Sequence, residues 1–174
     1  MIINKEESKY WDEIYTADLE YTNKIFKTWL KVNDKKNSLS SALKGRHSSE
    51  ELSYRSAALR FLLVSDLSGI FSYSENGRTI DIDIVRIIVE LASVGHSDIE
   101  LCRNVIKILP NYWLKDNLID LMEPILSNGD EEEYMRLAEL CRDIDIDLLK
   151  YILNKAKEST NADILEVPSF FDDF

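Results

Sequence analysis

Apolar residues recur at steps of three and four along most of this chain, the spacing that places them on one face of an α-helix. Residues 6–32 carry Trp11, Ile14, Tyr15, Thr22, Ile25, Phe26 and Trp29 on such a stripe, which predicts an N-terminal helix with an aromatic face. The next stretch, NDKKNSLSSALKGRHSSEE (33–51), is polar and rich in small residues and predicts a loop. Ser49 then stands where an N-cap belongs, with acids in the first turn after it. Leu52, Leu59, Leu62, Leu63 and Leu67 give that helix its apolar face. The rhythm breaks at IFSYSENGRTIDI (70–82). Asn76-Gly77 is a hairpin-type turn signal, but a lone two-stranded ribbon is marginal. The stretch is therefore expected to be an ordered loop with room for a small hairpin.

From Asp81 the helical rhythm is steady. A helix beginning DIDIVRII closes at Gly95, and DIELCRNVIKIL (98–109) stops at Pro110. The run from Trp113 bends at Pro124 and closes at Gly129, and EEEYMRLAELCRDI (131–144) and DIDLLKYILNKAKES (145–159) form the next pair. Within this region one phrase recurs: GHSDIELCRNVIKIL, NGDEEEYMRLAEL and an incomplete NADILEVPSFF. Asp98, Asp130 and Asp163 close the three turns, 32 and 33 residues apart. Each is expected to cap a helix, accepting from free backbone amides and complementing the helix dipole. The alternating DIDID at Asp143, Asp145 and Asp147 has the same explanation. Arg103 and Arg136 follow their Asp by five or six residues, and Arg55 holds the equivalent place after SSEEL. All three are expected to reach acidic groups of an adjacent turn or unit.

A period of about 30 to 45 residues built from helix pairs is the signature of an α-solenoid, whose units bury apolar faces only against their neighbours. The segment DEEEYMRLAELCRDIDIDLLKYILNKAKESTNADILEV resembles bacterial HEAT-like repeats in its acidic turn, Arg-Leu step, Asp-rich link, Leu-Leu and closing polar turn. The resemblance spans roughly residues 81–170 and implies an all-α fold: a short α-solenoid of HEAT-like helix pairs behind an N-terminal aromatic helix. One domain is expected over 1–174, with the helix and basic loop in 1–48, the repeats in 49–170 and an aromatic-acidic tail in 168–174. Phe170, Phe171 and Phe174 in that tail are expected to fold back and cap the last repeat.

Charge narrows the function. The formal net charge is −11, the wrong sign for binding nucleic-acid phosphates and the right sign for steering a basic partner. Cys102 and Cys141 sit in apolar helical runs and are expected to be small core residues. No run approaches a membrane span, and the N-terminus lacks an apolar signal core, so a cytoplasmic location is expected. The glycines are scattered singly, His47 and His96 have no nearby ligating partner, and no metal or nucleophile motif is present. Neither an enzyme nor a cofactor is expected.

What remains is surface. If the second helices of successive pairs line one side, Asp83, Arg86 and Glu90 project from the first. Asp116, Asp120 and Glu123 project from the next, and Asp147, Lys150, Tyr151 and Asn154 from the third. Asp83, Glu90, Asp116, Asp120, Glu123, Asp147 and Tyr151 are the candidate partner-binding residues, carboxylates for encounter and an aromatic for contact area. In size, charge and helical make-up the chain also resembles the small acidic immunity proteins of bacterial toxin systems. That resemblance implies tight binding of a cationic toxin domain, for instance a nuclease. The alternative is a scaffold or adaptor in a larger bacterial or phage assembly.

Overall fold

The computed structural model describes residues 16–17, 20–21, 23–24, 27–32, 34–45, 48–65, 67, 70–74 and 77–171. The described positions are dominantly helical: α1 (Lys35–Leu43), α2 (Ser49–Val64), α3 (Ile82–Ala92), α4 (Ile99–Lys107), α5 (Asn111–Leu126), α6 (Glu131–Ile144), α7 (Ile146–Lys157) and α8 (Ala162–Glu166). A 3₁₀ turn (Val167–Phe171) follows α8. The described positions between Thr16 and Trp29 are helical too. Trp29 lies against Phe61 with ring centroids 4.6 Å apart. The other residues of the expected aromatic stripe, Trp11, Ile14, Tyr15, Thr22, Ile25 and Phe26, lie outside the described residues, as do His47 and Phe174.

Helix α1 corrects the loop expected over 33–51. Asp34 accepts from the Asn37 backbone amide at 3.2 Å and from its side-chain amide at 2.7 Å, a cap that starts the helix. Leu39 and Leu43, one turn apart, are then buried. Two leucines and a cap suffice because the neighbouring helices supply the rest of the apolar surface. The cap of α2 is Ser48, which accepts from Glu51 N at 3.1 Å, one residue before the expected Ser49. Leu52, placed on the apolar face by spacing, is exposed, whereas Leu59 and Leu62 are fully buried. Past α2 the chain reverses at Leu67, whose φ of 61° is left-handed. Its amide donates to Leu62 O at 3.0 Å, and its buried side chain offsets the local strain.

The expected loop at 70–82 contains a hairpin. β1 (Phe71–Ser74) and β2 (Gly77–Ile80) pair antiparallel with Ser74 opposite Gly77, so Gly77 belongs to the second strand. The Asp81 amide donates to Ile70 O at 2.8 Å, carrying the ribbon directly into α3. Asp81 caps α3, which buries Ile84, Val85, Ile87, Ile88, Val89, Leu91 and Ala92. A helix apolar on nearly all sides belongs in the interior, and α3 touches α1, α4, α5 and α6. Pro110, expected to stop α4, is the N-cap residue of α5, and Pro124 lies inside α5 without ending it.

Two caps match the repeat reading and two do not. Asp130 forms a capping box with Glu133, and Asp145 accepts from Asp147 N at 2.8 Å. Asp163 falls in the first turn of α8, and the cap is Asn161. Asp98 occupies the N-cap position of α4 but makes no capping bond. Its carboxylate is committed across the interface, where it accepts from Arg55 Nε at 2.8 Å and Ser56 Oγ at 2.6 Å.

Beyond adjacent elements, α1 packs on α3, α2 on α4, α3 on α5, α4 on α6 and α6 on α8, and the 3₁₀ turn packs on α6, α7 and α8. Ion pairs follow the same steps. Arg55 of α2 meets Asp98 at the start of α4, and Arg103 and Lys107 of α4 meet Glu139 and Asp143 of α6. Arg136 stays within its own helix, bonded to Glu139. Gly95 lies where a Cβ would come within 2.5 Å of Glu132 Oε1. Its bare backbone lets the Gly95 amide donate to that oxygen at 2.9 Å. At the far end Val167 and Phe171 are buried, with Arg142 stacked 5.9 Å from the Phe171 ring, while Phe170 stays 62 % exposed. Of the expected aromatic cap, Phe171 is in place and Phe170 is not, while Phe174 lies outside the described residues.

Candidate partner-binding surface

The candidate residues sit on α3, α5 and α7. Asp83 and Glu90 are exposed on α3, Asp116 and Asp120 on α5, and Asp147 on α7, while Glu123 and Tyr151 are half-buried. Their electrostatic states differ sharply, because the chain supplies its own cations to several of them.

Lys36 of α1 reaches both Asp81 and Asp83 at 3.0 Å. Its ammonium holds the Asp83 carboxyl below the ordinary carboxylate range, and Arg86 adds a second donor at 3.0 Å. Glu123 accepts twice from Lys155 of α7, at 2.8 and 2.6 Å. Asp145, just before α7, pairs with Lys115 of α5 at 2.6 Å, which holds its carboxyl below the ordinary carboxylate range in the same way. Among the described residues the Asp147 carboxylate pairs only with its i,i+3 neighbour Lys150 at 3.4 Å, with both side chains well exposed, an arrangement worth little.

Glu90, Asp116 and Asp120 are different. Among the described residues none of the three has a side-chain hydrogen bond or ion-pair partner. They are solvated carboxylates held on helical backbone. Where the sequence pattern treats seven residues as equivalent, the structure divides them: Asp83 and Glu123 bind helices to each other, and Glu90, Asp116 and Asp120 remain available.

Tyr112 joins the available set and was not among the expected residues. It is 71 % exposed, and Asp116 and Asp120 follow it at four-residue steps on the same face of α5. The spacing 112, 116, 120 is legible in the sequence. What was missing was the sign that Tyr112 points outward while its neighbours Trp113 and Leu114 pack inward.

The interior groups are otherwise engaged. Cys102 and Cys141 are free and fully buried, and burial pushes each thiol up to about 12. His96 Nδ1 accepts from the Asp98 amide at 3.0 Å, and its Nε2 lies 2.8 Å from Leu91 O. That geometry assigns the proton to Nε2. Among the described residues no three His, Cys, Asp or Glu side chains are placed to hold a metal ion, and no helix is long and apolar enough to cross a membrane.

A second surface feature also escaped the sequence reading. An apolar groove of about 890 Å³ opens between residues 21–32, α1 and α2, lined by Tyr21, Trp29, Leu39, Tyr54, Ala58 and Phe61 among others. No known family model, curated protein or solved structure matches the chain.

Proposed function

We propose that the protein is a binding module, an immunity protein that neutralises a cationic bacterial toxin domain in the cytoplasm by direct 1:1 contact. On this reading its helices form a short α-solenoid of HEAT-like pairs, an arrangement supported by the packing of most helices on the next but one. The observation that carries the binding reading is the stripe Tyr112, Asp116 and Asp120 on α5. It combines a 71 % exposed aromatic with two carboxylates that have no ion-pair partner among the described residues. Glu90 on α3 and Asp147 on α7 are further exposed carboxylates. Fixed carboxylates accelerate encounter with a basic protein, and a central aromatic slows its departure. A scaffold role in a larger assembly would use the same surface on a structural partner.

Genomic position supplies the test, since an immunity gene lies directly downstream of its toxin gene. The upstream product should be toxic alone and tolerated when co-expressed with this chain. Its purified basic domain should associate quickly, and more slowly as salt rises, because charge reaches only about 8 Å at 0.15 M ionic strength. Reversing Asp116 and Asp120 to Lys should cut the on-rate, and Tyr112→Ala should raise the off-rate, with helicity unchanged. Reversal of exposed Glu158 and Glu166 serves as the control. Absence of both protection and binding rejects the immunity reading. Binding lost in the control but kept in the α5 variants rejects this surface.

A further inference from the structure

The groove between residues 21–32, α1 and α2 is apolar at its floor and basic at its rim. Trp29, Leu39, Ala58 and Phe61 form the floor. Lys24 lines the groove itself, and exposed Lys27 and Lys31 line a smaller pocket that adjoins it at Lys24 and Thr28 and also includes Glu20. None of these three lysines has an ion-pair partner among the described residues. They belong to the one basic stretch of an acidic chain: residues 23–48 hold seven Lys and Arg against one Asp. A volume of about 890 Å³ is what a pair of large side chains or a compact ligand fills. The occupant that fits is aromatic and acidic.

This chain carries such a segment. The 3₁₀ turn is anchored by buried Val167 and Phe171 and leaves Phe170 exposed. The sequence then continues Asp172-Asp173-Phe174, two carboxylates between aromatic residues. The turn packs on α6, α7 and α8, while the groove elements pack on α3 and α4, so groove and tail belong to separate parts of the structure. We propose that residues 170–174 of one copy dock in the groove of a second copy, with Phe170 and Phe174 on the aromatic floor and Asp172 and Asp173 against Lys24, Lys27 and Lys31. Groove and tail are different surfaces, so the contact is head-to-tail and does not close on itself. It involves none of the α5 residues of the binding reading and stands or falls independently of it.

Sedimentation velocity on the full chain tests the contact. The weight-average sedimentation coefficient should rise with protein concentration and fall back as salt is added. Phe170→Ala should weaken the association at least about tenfold, as loss of an aromatic anchor does. Lys24→Glu with Lys27→Glu should abolish it, as should Asp172→Lys with Asp173→Lys. Lys24 and Lys27 are exposed, and every variant should retain its helicity by circular dichroism. Mixing the two charge-reversed proteins should restore association in alternating order, because each groove then meets a tail of opposite sign. A monomer at every concentration overturns the proposal, and so does association that survives both reversals.

Discussion

Replacing Asp98 by Ala isolates the interaction that ties α2 to α4. The Arg55 and Asp98 side chains are only 5 % and 7 % exposed, and the substitution leaves the Arg55 guanidinium buried without its counter-charge and the Ser56 hydroxyl without its acceptor. No helix cap is lost, because the Asp98 carboxylate makes none. Removing one partner of a buried pair costs about 3–5 kcal/mol. At about 2–4 °C per kcal/mol for a chain of this size, the melting temperature should fall by roughly 6–20 °C. Asp130→Ala is the internal standard. It removes an exposed capping box and should cost about 1 kcal/mol, or roughly 2–4 °C. Substituting Arg55→Leu together with Asp98→Ala should recover part of the loss, since no unpaired charge remains.

The pH dependence of the same pair has a definite sign. Burial alone would disfavour the Asp98 carboxylate, but the Ser56 hydroxyl and the Arg55 guanidinium outweigh it and hold its pKa below the ordinary 3.8. A depressed folded value means that the contribution is fully present above the unfolded value and is lost as pH falls through the folded one. Paired chemical-denaturation curves should therefore show a constant gap between wild type and Asp98→Ala near neutrality, closing below about pH 4. An Asp98→Ala cost no larger than that of Asp130→Ala would refute the assignment. So would a gap that persists unchanged into strong acid.

Two further outcomes are expected. With both thiols pushed up to about 12, roughly one in ten thousand is ionised at pH 8. Labelling of Cys102 and Cys141 should therefore wait on opening of the structure and accelerate with denaturant. Rapid labelling of the native protein would place them at the surface. Leu43→Ala should cost about 2–5 kcal/mol if α1 is packed as described. A loss below about half a kilocalorie, the level of an ordinary surface substitution, would return that segment to a loop.

The chain's own pattern determined its helical class and most of what lies between Asp81 and Lys157. There apolar spacing, acid-capped turns and closing polar residues agree with one another, so Asp130 and Asp145 could be read as caps and the cysteines as core. The role of Arg55 and Arg103 in reaching the next turn was legible for the same reason, since their places recur. Tertiary structure decided the rest. A polar segment with only Leu39 and Leu43 became helix α1 because neighbouring helices completed its apolar contacts. Asp98 left its cap for Arg55 because α2 brings a buried cation to it, and Asp83 and Glu123 ceased to be free acids because Lys36 and Lys155 approach from other helices. Tyr112 became the outermost residue of the α5 stripe by the way that helix settles on α3. Local pattern fixes which backbone bonds a segment can make by itself, while the fate of each charged or aromatic side chain depends on what a distant segment brings within about 4 Å.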